Sequence, residues 1–322
     1  MPAPDQIPVH DPSLGNLGPS AEVYALAVES DQLEPLPEDG TRRRKGLGVG
    51  AWLSIIWIGG LLLLAILAPL LPIPNPNESF AEIARKGPVA GHWLGGDANG
   101  RDLLARIIYG TRASFAIGFG AVGFGLVVGG LLGLATGFFR GKTDAIITPI
   151  MTILLAIPQF VLALSLVTVL SSGDKVSSMQ RIGVVVLGLG LVSIPILGRI
   201  TRANTLSWSE REFVLAARAM GAKDWRIMLR DILPNVFPAM LSISLLGVGI
   251  AIVAEGGLAL FGVGVQPPTP SWGNIIAENK DQLNRAPHIV MFTIVVLFLT
   301  VLALNFLADV VSRRFEVRES VL

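Results

Sequence analysis

The chain of 322 residues has no cysteine and little charge. Without cysteine there can be no disulfide framework, no thiol catalysis and no thiolate metal site. The three histidines, His10, His92 and His288, lie too far apart in sequence for the short spacing of a metal-ligand pair. Charged residues make up only 15% of the chain, against roughly 25% in an average soluble domain. These shortages argue against a metalloenzyme and against a water-soluble globular domain.

What the sequence has instead is long apolar runs, and 52% of its residues are hydrophobic. Each run is about 20 residues long, enough to cross a hydrocarbon core about 30 Å thick. The runs predict an all-α, polytopic membrane protein with six transmembrane helices, at 51–71, 113–138, 145–170, 182–198, 236–263 and 289–311. Pro158 and Pro195 lie inside the third and fourth spans and predict local kinks.

Charge is unevenly distributed along the chain. Residues 1–41 carry eight acidic groups and no basic ones, and they are rich in proline. Such a composition predicts a disordered tail. With both ends of the chain in the cytoplasm, the inner segments carry sixteen Lys and Arg residues and the outer segments nine. Basic residues favour the cytoplasmic side, so both termini are expected there.

These patterns divide the chain into four predicted segments. Residues 1–45 form the acidic cytoplasmic tail, and 46–111 contain the first span and an extracytoplasmic loop. Residues 112–311 form a transmembrane domain of five helices, and 312–322 form a second cytoplasmic tail. A long polar stretch at 199–234 interrupts this domain between the fourth and fifth spans.

Two glycine patterns imitate nucleotide-binding motifs. Residues 136–143 approximate a phosphate loop, but they follow a membrane span, whereas a phosphate loop connects a strand to a helix. Residues 118–123 fit the dinucleotide pattern but lie inside an apolar span, where close helix packing explains the glycines. We therefore predict no catalytic residue, no metal site and no cofactor in this chain.

A stripe of glycines runs along the second span at four-residue spacing. The four residues fall on nearly one face of a helix, so another helix could approach closely there. That neighbour could belong to the same chain or to another subunit. The stripe consists of Gly125, Gly129, Gly133 and Gly137.

The polar stretch between the fourth and fifth spans has the pattern of a short amphipathic helix. Ser209 and Glu212 fit a capping box, in which each side chain accepts a bond from the other residue's amide. Phe213, Ala217 and Met220 then share one helical face. The segment is expected to begin as a helix lying along the membrane surface.

A glycine turn and a second amphipathic stretch follow. Gly221 suits the left-handed conformation that ends a helix, and Pro234 is expected to stop the second stretch. The apolar residues of that stretch are Trp225, Met228, Leu229 and Ile232. The residues alone leave two interpretations open: a docking element for a partner protein, or a connector lying in the lipid headgroups.

The spacing here resembles the signature of the permeases of ABC importers. That signature is Glu-Ala-Ala, three residues, Gly, nine residues and then Ile-x-Leu-Pro. This chain has Ala216 and Ala217, three residues, Gly221, nine residues and then Asp-Ile-Leu-Pro at 231–234. It departs from the pattern at Leu215, where the family has Glu, and at the first residue of 231–234, where the family has Ile. The family's glutamate is therefore not assigned here.

Three further stretches resemble the C-type permease of the dipeptide, oligopeptide and nickel group. Residues 92–110 resemble its outer loop before the second span, and 155–158 resemble its third span. Residues 262–273 resemble the outer loop after its fifth span, and this match is highly specific. The resemblance covers roughly residues 47–315, so the acidic tail lies outside it.

The resemblance implies a type I ABC importer permease fold in a bacterial plasma membrane. The chain would form half of a path for di- or oligopeptides and would work by alternating access. Its partners would be a homologous permease, two ATPase subunits that bind ATP and Mg, and an extracytoplasmic substrate-binding protein; nucleic acid is not expected. The chain would not be catalytic itself. The residues implied in coupling to the ATPase are Glu212, Phe213, Ala216, Ala217, Met220, Gly221 and Pro234.

Other residues are candidates for contacts with the substrate or the binding protein. Glu255 is a carboxylate inside a predicted span, near its outer end, and such groups usually face a cavity or a partner. It could line the substrate path, together with Pro158, or it could have a hydrogen-bonded structural role. The outer loop is expected to meet the binding protein or to brace the outer gate through Gln266, Pro267, Pro268 and Trp272.

Two other function classes compete with an importer subunit. An ion-gradient-driven secondary carrier needs ion ligands at the membrane midplane and paired broken helices. The spans here are nearly devoid of carboxylates, and no clear internal repeat is visible. A non-transporting membrane scaffold is the third possibility, and the acidic tail gives it weak support.

Overall fold

The structure is a computed structural model that describes residues 48–171 and 177–319, with side chains as far as residue 314. The predictions for the acidic tail at 1–45 therefore lie outside the described residues. Within the described ranges the regular secondary structure is helical. The α-helices are α1 Val49–Leu67, α2 Leu103–Phe139, α3 Gly141–Ala156, α4 Gln159–Leu170, α5 Ser178–Ser209, α6 Glu212–Ala219, α7 Asp224–Leu260, α8 Trp272–Asn279 and α9 Pro287–Glu319.

Five of these helices are long and apolar enough to cross a membrane, which confirms the predicted class. They are α1 with its 3-10 extension to Leu70, α2, α5, α7 and α9. The predicted third span is broken into α3 and α4, which meet at 93°. The break falls at Ile157 and Pro158. If the bent pair counts as one span, the total is the six that the sequence predicts. At Pro195, by contrast, α5 continues without a break.

Helix α2 begins about ten residues before the predicted start of the second span. Asp102 caps it by accepting a hydrogen bond from the amide of Ala105 at 2.7 Å. Arg106 lies inside its first turns, fully buried and paired with carboxylates. The apolar run alone could not reveal this extension, so the predicted boundary at 111/112 falls within a helix. The predicted boundary at 311/312 likewise falls within α9.

Helix α2 is the centre of the packing, and the glycine stripe faces α5 of the same chain. A β-carbon on Gly129 would lie 2.5 Å from the carbonyl oxygen of Ile194, and one on Gly137 would lie 2.6 Å from the β-carbon of Thr205. Backbone therefore packs directly on backbone along this interface. Of the two open interpretations, the structure shows packing within the subunit.

The other spans surround this pair. Helix α7 packs against both α2 and α9, and α9 in turn packs against α1. The indole Nε1 of Trp57 donates to Thr300 Oγ1 across α1 and α9 at 3.1 Å. Arg112 on α2 donates to the carbonyl of Ala65 at 2.7 Å, which satisfies an orphan acceptor at the end of α1.

The α2–α5 contact predicts a sharp difference between two glycines of one helix. Gly129→Ala must push backbone atoms apart and should cost about 1–3 kcal/mol, the usual range for overpacking. Gly123→Ala is the matched control, because apart from its own stretch of helix no atom lies within 4 Å of its added β-carbon. We expect a lower Tm in detergent for Gly129→Ala and no loss for Gly123→Ala. Equal Tm values would contradict the close packing.

Candidate functional site

Helix α6 is seated on the ends of two long helices through one valine. Val214 is fully buried and belongs to an apolar cluster with Ile227 and Ile232 of α7 and with Leu134 and Phe138 of α2. This cluster is the seat of α6. Because its members come from distant parts of the sequence, periodicity within the eight-residue helix could not reveal it. The seat attaches α6 firmly to α2 and α7.

The opposite side of α6 is exposed, and it carries most of the residues predicted for coupling. Glu212 and Ala216 are exposed, Phe213 is 42% exposed and Met220 is 81% exposed. Ala217 is partly buried against the seat. The exposed side therefore combines apolar and small side chains on a rigidly held helix.

The predicted end of α6 is confirmed, and its predicted start is wrong. Gly221 has φ +78°, the left-handed conformation expected of a helix-ending glycine. Ser209 does not cap α6. It is the last residue of α5, and its hydroxyl donates to the carbonyl of Thr205 at 2.6 Å. Arg211 occupies the N-cap position and makes no side-chain capping bond.

Pro234 does not stop the second stretch, which is a further correction. The chain passes from Asp224–Arg226 through a π-helical turn at Ile227–Ile232 into Leu233–Leu260. In that turn the amide of Leu233 bonds to the carbonyl of Met228, one residue further back than in an α-helix. Pro234 lies in the first turn of the following segment, where a missing amide proton is tolerated. Helix α7 is thus continuous from the seat of α6 to its other end.

A cleft of about 600 Å³ lies beside α6. Arg140 pairs with Glu210 across it at 2.8 Å, and the guanidinium of Arg218 lies 5.0 Å from the ring centre of Phe138. Phe139, Ser209, Leu215 and Asp224 complete the lining. Residues 136–143, which only imitate a phosphate loop, form the end of α2 and the start of α3 beside this cleft.

At the other end of the spans, α8 is locked in place by Trp272. This side chain is fully buried, its indole Nε1 donates to the carbonyl of Ile107, and its amide donates to Ser114 Oγ, both at 3.0 Å. Its ring meets Phe115 edge-on at 5.5 Å. Trp272 therefore braces α8 against α2 and has no exposed surface in this conformation.

The other predicted outer residues lie on the surface of the loop before α8. Pro267 and Pro268 are exposed, and Gln266 is partly exposed, its side chain donating to the carbonyl of Gly262 at 2.8 Å. Pro158 is exposed at the bend between α3 and α4. These positions stay predictions for binding-protein and substrate contacts.

A buried ionic cluster that the sequence reasoning missed ties the segment before α2 to α8. Arg101 pairs with Asp97 and with Glu278, each at 2.7 Å, and Arg106 pairs with Glu278 at 2.8 Å. Asp97 and Arg106 are fully buried. The sequence signal that could have revealed this cluster is the group of charged residues Asp97, Arg101 and Arg106, which stands just before the apolar run of the second span.

Glu255 lies on α7 close to the start of α8 and is fully buried. Its Oε1 accepts a hydrogen bond from the hydroxyl of Ser271 at 2.7 Å. Its Oε2 lies beside Gly273, where a β-carbon would stand 2.7 Å away. The structure thus shows the hydrogen-bonded role that was one of the two interpretations of this residue. The proposed contact with substrate stays a prediction.

The seat of α6 predicts different effects for two neighbouring aliphatic residues. Val214→Ala should weaken the seat by roughly 2 kcal/mol, since each buried methyl contributes about 0.8 kcal/mol and a cavity adds to the loss. Leu215→Ala is the control, because Leu215 is 54% exposed. We expect faster amide hydrogen exchange across α6 only in Val214→Ala. Equal exchange in the two variants would contradict the assigned seat.

Comparison with known proteins gives a consistent result. The family model for binding-protein-dependent transport system inner membrane components matches residues 125–320. The glutathione transport system permease protein GsiD of Pectobacterium atrosepticum is 36% identical over 268 residues, covering 83% of this chain and 85% of that protein. The dipeptide transport system permease protein DppC of Alkalihalophilus pseudofirmus is 36% identical over 259 residues, covering 80% and 83%.

A solved structure supports the fold independently. The MetNI methionine ABC transporter, in an inward-facing conformation, superposes with a TM-score of 0.52 at 19% identity. The match covers 66% of this chain and 96% of the matched chain. These findings set aside the ion-gradient-driven carrier. The chain belongs to the family of binding-protein-dependent transport system inner membrane components, the permease subunits of ABC importers.

Proposed function

We propose that this chain forms half of the translocation path of an ATP-driven importer of peptides. The support for the substrate class is the pair of relatives named for glutathione and dipeptide transport. Both names describe short peptides, and each relative aligns over most of its length. In this proposal peptides of two to a few residues are the cargo, and the chain itself has no catalytic role.

The coupling site of the proposal is the exposed side of α6. The observation that carries it is the combination of exposed Phe213, Ala216 and Met220 with a fully buried Val214 beneath them. A helix that lay in lipid headgroups would not need a firm seat on two spans. A helix that receives force does need one, because motion of its outer side must reach α2 and α7.

In the proposed assembly this chain works with three other kinds of component. Two ATPase subunits bind ATP and Mg and seat on the cytoplasmic side, one of them on α6. A homologous permease completes the path, and an extracytoplasmic binding protein delivers the peptide. The excess of basic residues on the segment that contains α6 supports a cytoplasmic location for both termini. The membrane is a bacterial plasma membrane.

Two exposed regions are proposed to contact the binding protein or the peptide. The exposed prolines Pro267 and Pro268, with Gln266, offer a stiff surface for the binding protein. Pro158, exposed at the bend between α3 and α4, is placed on the substrate path. Both assignments follow the resemblance given above and the exposure of these side chains.

The coupling site predicts a selective effect of one bulky substitution. Ala216→Trp adds a large ring to the exposed side of α6 without touching the seat, so the chain should fold but lose its ATPase partners. Ala90→Trp is the control, since Ala90 is an exposed alanine on the outer segment. We expect co-purification of the ATPase subunits and peptide-stimulated ATP hydrolysis to be lost only in Ala216→Trp.

Peptide import supplies the second arm of the same experiment. Uptake of labelled dipeptide and glutathione should fall with Ala216→Trp and persist with Ala90→Trp. If the ATPases remain bound and uptake is unchanged in Ala216→Trp, α6 is not the coupling site. If the intact complex moves no peptide, the proposed cargo is wrong.

A further inference from the structure

Helix α7 joins the two ends of the molecule. Ile232, near one end, belongs to the seat of α6, and Glu255, near the other, bonds to α8. The two residues are about 35 Å apart along the axis, at the rise of roughly 1.5 Å per residue of an α-helix. A displacement of α6 can therefore pass along α7 to Glu255, the residue that bonds to α8.

On the α8 side of the contact with Glu255, the hydroxyl of Ser271 uses both its donor and an acceptor position. Ser271 is fully buried; its hydroxyl donates to Glu255 and accepts from the amide of Asn274 at 3.1 Å. The side chain of Asn274 accepts in return from the amide of Ser271 at 3.0 Å. The carboxylate therefore holds the N-terminal cap of α8, where partial positive charge favours an acidic group.

The backbones of the two helices also approach closely at this point. A β-carbon on Gly273 would lie 2.7 Å from both Glu255 Oε2 and the Cα of Gly256. With no side chain between them, the first turn of α8 lies directly on α7. A small rotation of α7 would separate these atoms unless the hydrogen bond carries α8 along.

A buried carboxylate is a costly way to fill space in a membrane protein. Apolar side chains pack there without the desolvation penalty that an ionisable group has to overcome. A carboxylate at this position is therefore explained by its bond to Ser271 better than by packing. Trp272, the next residue, is bonded to α2, so α8 connects α2 with α7.

We propose that Glu255 is a positioning residue that makes α8 follow α7 when the importer changes conformation. This inference rests on the proposed function, because it needs an ATPase to drive α7 through α6. Glu255 acts through Ser271: the carboxylate holds the hydroxyl, the hydroxyl holds the first turn of α8, and α8 moves the outer surface with it.

The test uses distance measurements in the assembled complex. The chain has no native cysteine, so Met179→Cys and Lys280→Cys give two unique spin-label sites when the partner subunits are cysteine-free variants. Met179 is exposed at the start of α5, and Lys280 is exposed just after α8. Electron–electron double resonance then reports the position of α8 relative to α5, without nucleotide and with ATP and vanadate.

Three variants in this background separate positioning from packing. Glu255→Ala removes the acceptor for Ser271, and Glu255→Gln keeps an oxygen acceptor of the same shape. Ser242→Ala is the matched control: it removes a buried hydrogen bond from α7 to the carbonyl of Ala308 on α9, at 2.8 Å, away from α8.

We expect a nucleotide-dependent shift of the label distance in the parent, in Glu255→Gln and in Ser242→Ala. Glu255→Ala should lose the shift while the ATPase subunits still co-purify, and peptide uptake should fall with it. An unchanged shift in Glu255→Ala, or no shift in the parent with ATPases bound, would overturn this inference alone. Absence of the ATPases from the parent complex would instead count against the proposed function.

Discussion

The membrane interior offers no water to bond with exposed backbone groups, and this constraint explains where the helices of this chain bend. At Ile157 the ladder breaks before Pro158, and the side-chain amide of Gln159 lies 3.3 Å from the carbonyls of both Leu154 and Ile157. At Pro234 the chain instead adopts a π-helical turn and continues. At the bend, the side-chain amide of Gln159 satisfies the Leu154 carbonyl that the missing amide proton of Pro158 would leave unpaired.

The same constraint governs the polar groups that the chain places near the span ends beside α8. Arg106 is buried because Asp97 and Glu278 supply the opposite charge. Arg112 is held by carbonyls that α1 leaves unpaired at its end. Polar side chains are thus retained where they join separate elements. They connect α1, α2, α8 and the segment between α1 and α2.

The sequence predicts the elements well and the long-range contacts poorly. Apolar runs locate the spans, and the turn requirement at Gly221 is visible locally, because a residue with φ +78° is usually glycine. The capping role of Ser209 fails because α5 extends as far as this residue, and its hydroxyl donates to the carbonyl of Thr205 one turn earlier. Trp272 is buried against Ile107, 165 residues earlier in the chain, and no local pattern contains that pairing.

Contacts between separate elements also hold the two ends of α7. Val214 rests on residues of α2 and α7, and Glu255 holds Ser271 across a helix boundary. Val214 and Glu255 each make their contact alone, because the residues next to them in sequence are exposed or contact other parts of the chain. A permease can therefore match its family signature at α6 and still differ in how motion reaches its outer surface. In this chain the Leu215 departure lies on the exposed part of α6. The seat includes Ile232, which belongs to the signature, whereas Glu255 lies on α7 beyond Pro234, the last residue of the signature.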